Sequence, residues 1–100
     1  MKLHGIDVPI DRVAAFCREN GIRRLALFGS ILRDDFGPES DIDVLVEFQS
    51  GVRVGLSFFR IQDELSDLLG RRVDLNTAGF LSAAFRDDVI AEAEPVYVAA

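Results

Sequence analysis

The segment Asp41–Phe48, DIDVLVEF, places Ile42, Val44, Val46 and Phe48 on one face of a β-strand and Asp41 and Asp43 on the other. Residues two apart in a strand point the same way, with Cα atoms roughly 6.5–7 Å apart. The apolar face has to be buried against helices, while the opposite face has to tolerate two adjacent carboxylates. Side by side these repel, and their pKa values rise unless a positive group stands between them. A divalent cation is the simplest such partner, and carboxylate oxygens suit Mg²⁺ or Mn²⁺. An EF-hand loop is excluded, because Leu45 and Val46 stand where an oxygen ligand and the glycine belong.

Around this strand the pattern alternates between helix and strand. Ile10, Val13, Ala14 and Cys17 follow helical spacing, with Pro9 in the first turn and Gly21 as the stop. Arg24–Phe28 is a short apolar strand broken off by Gly29-Ser30. After a turn at Ser50-Gly51, Phe58, Ile61, Leu65 and Leu68 mark a second helix that Gly70 ends. Arg72–Asn76 alternates as a third strand. A last helix is predicted over about Ser82–Glu92, and Pro95 stops it before an edge strand at Val96–Val98. This order predicts an α/β (α+β) fold, a small mixed β-sheet covered by helices on at least one face.

With 100 residues, 49% of them apolar, the chain is expected to form a single domain, 1–100, around one modest core. Its net charge of -6 disfavours direct nucleic-acid binding by the chain alone. Any polyanionic substrate then needs metal ions or a local basic cluster. The single Cys17 cannot form an internal disulfide, and neither a leader nor a membrane-length apolar run is visible, so a cytoplasmic protein with no membrane partner is expected.

Asp74, between Val73 and Leu75, faces away from its apolar neighbours as Asp41 and Asp43 do. If the two strands pair, three carboxylates meet on one sheet face, and such a cluster can hold two metals about 3.5–4 Å apart for phosphoryl chemistry. Gly29-Ser30 allows close backbone approach to a phosphate, although no Gly-Lys-Ser/Thr follows and the loop is not a Walker A motif. Arg33 reads equally as a phosphate donor or as a clamp for Asp34, Asp35 or Glu39. His4 has no Cys or His companion for a zinc or general-base role, Cys17 and Phe58-Phe59 read as core, and Arg71, Arg72 and Arg86 read as solvated charges. Arg72 is nonetheless close enough in sequence to Asp74 to influence the site.

The ordered set Gly29-Ser30, Arg33, Asp35, Ser40, Asp41-Ile42-Asp43 and Val46, with Asp74 later, resembles the minimal nucleotidyltransferases (MNT, the MntA-like antitoxins) of the DNA polymerase beta superfamily. The match is close from Gly29 to Val46 and looser over RRVDLNT and the final helix. The resemblance implies the polymerase beta-like nucleotidyltransferase fold, with Asp41, Asp43 and Asp74 as catalytic metal ligands for two Mg²⁺ ions, or Mn²⁺. It makes Asp74 the carboxylate that helps deprotonate the incoming hydroxyl, Gly29 and Ser30 the nucleotide loop, and Arg33 a support for that loop or the phosphates. It further implies AMP transfer from ATP to a hydroxyl, in many such proteins a tyrosine of a HEPN-domain toxin, by an antitoxin that can assemble with it. Asp34 departs from the small residue that relatives often carry there, adding negative charge beside the phosphate loop. Two alternatives stay open: a non-catalytic antitoxin that neutralises its toxin by binding, and a nucleotidyltransferase acting on a small molecule such as an aminoglycoside.

Overall fold

The chain, described over residues 2–3 and 5–100 of a computed structural model, opens with a short antiparallel pair, β1 (Lys2–Leu3) and β2 (Ile6–Asp7). His4 lies outside the described residues. Next come α1 (Ile10–Glu19), β3 (Ile22–Phe28), a one-turn 3-10 helix (Gly29–Leu32) and β4 (Ile42–Phe48). They are followed by α2 (Ser57–Leu69), β5 (Val73–Asn76), a second 3-10 turn (Ala78–Phe80), α3 (Arg86–Glu92) and β6 (Glu94–Val98).

The last four strands form one mixed sheet in the order β5-β4-β3-β6, antiparallel except for the parallel pair β4 and β5. Its main core lies on one face, where Leu25, Leu27, Ile42, Val44, Val46, Val73 and Leu75 pack with α1 and α2. On the other face Ala26 and Leu45 meet Leu81 and Ala93, with Phe28 and Val89 against them. Helices therefore cover both faces, α3 lying on the side that carries the carboxylates.

Several details differ from the sequence expectation. The buried stripe of α1 is Val13, Phe16 and Cys17, while Ile10 at its open first turn is 38% exposed. The last helix starts at Arg86 rather than Ser82, because the backbone N–H of Ala84 donates to Ser82 Oγ (3.3 Å) and that of Phe85 to the Ser82 carbonyl (3.2 Å). A serine that bonds the local backbone competes with the helix in this way. Pro95 follows the helix as expected but lies inside β6, which tolerates it as an edge strand.

Helix α2 also fixes edge strand β5. Val73 N–H donates to Ser66 Oγ (3.0 Å) and Leu75 N–H donates to Gln62 Oε1 (2.9 Å). These bonds satisfy backbone donors at the open edge and hold the residue between them, Asp74, in its register. No helix among the described residues is long and apolar enough to cross a membrane.

Candidate active site

Because β3 runs antiparallel to β4 and β5 runs parallel to it, the end of β3 and the starts of β4 and β5 meet at one end of the sheet. Asp43 is the register partner of Phe28 on one side and of Asp74 on the other. Asp41 immediately precedes β4, just outside the strand predicted to begin with it. The three predicted carboxylates are thus brought to one place, by pairing between segments far apart in the chain that only the fold can create.

Gly29 follows β3 with φ of +77°, in the left-handed region that favours glycine. A β-carbon there would overlap Asp43 Oδ2 and stand 3.1 Å from its Cγ. The glycine is therefore required twice, by its dihedral and by the carboxylate against it. Ser30 belongs to the single 3-10 turn rather than to a longer helix, and its carbonyl accepts from the Arg33 N–H (2.9 Å). The Arg33 side chain is exposed and, among the described residues, makes no ion pair with Asp34, Asp35 or Glu39. Its charge instead acts on Asp43.

Asp43 is half-buried, and its carboxyl is pushed up from 3.8 to about 6. Burial is the largest cause, followed by the negative charges of Asp74 and Asp41, with Arg33 opposing them. A carboxylate cluster with too little positive charge behaves this way. Among the described residues no three carboxylate, imidazole or thiolate groups are gathered into a finished ion cage. Asp74 is exposed on the edge strand β5. In their chemistry, carboxylate oxygens such as those of Asp41, Asp43 and Asp74 suit a hard divalent cation.

Arg71, read from the sequence as a solvated charge, is instead a structural clamp. It donates to the Gly37 carbonyl and lies over the Phe36 ring at 4.7 Å. Ser40 closes the same loop by accepting from the Gly37 N–H at 2.9 Å. Arg86 is likewise half-buried, with Nη2 donating to the Leu81 carbonyl at 2.9 Å. Neither role left a sequence signal, since both depend on carbonyls in distant or irregular loops.

The family model of the nucleotidyltransferase domain matches residues 10–96, which span every element of this site. The chain belongs to the nucleotidyltransferase domain family. As a member of it, the chain is 36% identical over 78 residues to the protein adenylyltransferase MntA of Thermococcus cleftensis, covering 78% of this chain and 76% of the relative. A solved structure described as a minimal nucleotidyltransferase superposes with a TM-score of 0.71 at 35% identity, over 86% of this chain and 87% of that one. In fold alone, this nucleotidyltransferase also matches a chain from the complex of a tri-AMPylated Shewanella oneidensis HEPN toxin with an MNT antitoxin. That match has a TM-score of 0.62 at 20% identity, over 89% of this chain and 69% of that one.

Proposed function

We propose that this nucleotidyltransferase is a cytoplasmic antitoxin that transfers AMP from ATP to a hydroxyl, a tyrosine, of a partner HEPN-type toxin, with which it assembles. The observation that carries the reading is the row Gly29, Asp43, Asp74, with Asp41 beside it, at one end of the sheet. Adenylyltransferase relatives at 36% identity support the transferred group, and the toxin complex of similar fold supports the partner.

Asp41, Asp43 and Asp74 would hold two Mg²⁺ ions, or Mn²⁺. Bound there, the ions supply the positive charge that lets an acidic site accept a triphosphate and polarise its α-phosphorus. Gly29 keeps the backbone close to Asp43 and, with Ser30, presents the loop on which the triphosphate rests. Arg33, exposed and near Asp43, supports the phosphates. Asp74, on the outer strand, takes the proton of the incoming hydroxyl. The hydroxyl oxygen bonds to the α-phosphorus and pyrophosphate departs.

Toxin incubated with this chain, ATP and Mg²⁺ should gain AMP by intact mass, and the gain should vanish with Asp41→Ala/Asp43→Ala. Neutralisation retained by that double variant without any added AMP would instead establish inhibition by binding. Efficient modification of an aminoglycoside and not of the toxin would establish a small-molecule acceptor.

A further inference from the structure

Pro38, Glu39, Ser40, Asp41, Arg71 and Arg72 line an open pocket of about 450 Å³. It flanks the carboxylates on the side away from Gly29: Ile42 pairs with Val73, so one residue earlier Asp41 and Arg72 stand side by side. Their backbones are tied there, since the Ile42 N–H donates to the Arg72 carbonyl at 2.9 Å. Strand order β5-β4-β3 thus places Arg72 and Asp74 at the outer strand, Asp41 and Asp43 at the next, and Gly29 beyond them after β3.

The two arginines of this pocket differ. Arg71 is committed to the Gly37 carbonyl and the Phe36 ring. Arg72 is exposed and, among the described residues, its guanidinium has neither an ion pair nor a hydrogen bond. Ser40 Oγ accepts from Gly37 N–H, so its own proton remains available to a ligand. Glu39 and Asp41 are the acidic members of the lining. A guanidinium facing open space next to a carboxylate centre suits a single phosphate or phosphodiester anion.

We propose that this pocket is an acceptor-side subsite for the phosphodiester of an AMP already attached to the partner protein, with Arg72 as its anion contact. The inference rests on the AMP-transfer reading above. With the triphosphate on the Gly29-Ser30 loop, the opposite flank faces the other reactant. An unmodified hydroxyl brings no anion there, whereas an acceptor that has received one AMP presents a phosphodiester. The toxin of the structurally similar complex carries more than one AMP. In a second transfer, a ribose hydroxyl oxygen of the attached AMP bonds to the α-phosphorus of a new ATP. The bond from that phosphorus to the bridging oxygen breaks, pyrophosphate leaves with the electron pair, and the hydroxyl proton passes to Asp74 and then to water.

The test is a time course of toxin intact mass with ATP and Mg²⁺. Arg72→Gln should slow the second addition about tenfold or more relative to the first, the loss of one charge-assisted hydrogen bond, and Arg72→Lys should recover part of it. Independently of turnover, NMR titration of the toxin-free protein with adenylyl-tyrosine should shift Ser40, Asp41 and Arg72 signals, and Arg72→Gln should abolish those shifts. Equal slowing of first and later additions would assign Arg72 to ATP and overturn the proposal, as would no change in either. Adenylyl-tyrosine shifts confined to Gly29 and Ser30 would also overturn it. A wild-type protein that adds no AMP at all would overturn the transfer reading by itself, and the titration would still decide the pocket.

Discussion

Asp43 and Asp74 are register partners across the parallel β4–β5 pair, so each carboxylate lies in the field of the other. Burial first, and the Asp74 and Asp41 charges added to it, make the folded state bind a proton on Asp43 more tightly than the unfolded chain does. The stabilising contribution is complete below the unfolded value of 3.8 and is lost as pH rises through about 6. Metal-free wild type should therefore lose stability over that interval, and Asp43→Asn should flatten the loss. At pH 7 the variant should melt several degrees higher than the metal-free wild type, should show no stabilisation by added Mg²⁺, and should transfer no AMP. Thermal melts at pH 4 and 7, with and without Mg²⁺, check the first two, and intact mass of the toxin checks the third.

Gly29→Ala places a methyl group onto the Asp43 carboxylate in a backbone conformation with φ of +77°. The left-handed conformation alone costs about 1–2 kcal/mol, and the overlap has to be relieved by moving Asp43. Urea unfolding should show a loss of at least that size, together with loss of AMP transfer. Full activity in Gly29→Ala would contradict the close approach.

Strand β5 depends on acceptors from α2, so Ser66→Ala or Gln62→Leu should each leave a strand N–H unpaired and cost about 1–3 kcal/mol. Amide exchange should accelerate at Val73 for the first variant and at Leu75 for the second. Transfer should fall with Asp74 mobilised, although neither side chain belongs to the carboxylate cluster.

Cys17 is fully buried, and burial pushes its thiol up to about 12 against a small opposing effect of Arg18. In the native protein at pH 8 it should resist thiol reagents and react at once in denaturant. Rapid native labelling would place it outside the core.

The strand face of Ile42, Val44 and Val46 and the helical stripe of α2 are legible in the sequence, because period-two and period-3.6 patterns report burial directly, whereas the pairing of Asp43 with Asp74 is fixed only by the fold. Burial patterns do not report partners. Arg71 looked solvated because its acceptor, the Gly37 carbonyl, belongs to an irregular loop 34 residues away. Gln62 and Ser66 leave no sequence signal, since their task is to accept from an edge strand. The β1–β2 pair leaves no sequence signal, because two-residue strands carry no periodicity. Gly29 and Ser30 were visible as a breaker, but the need for glycine beside Asp43 emerges only when β3 and β4 are paired.

Nucleotidyl transfer is tested most directly by incubating this protein, Mg²⁺ and the partner toxin with ATP labelled at either the α- or the γ-phosphate. The α label should appear on the toxin and the γ label in released pyrophosphate, with both signals absent in Asp43→Asn. Label from the γ position on the toxin, or α label transferred equally well by Asp43→Asn, would contradict it.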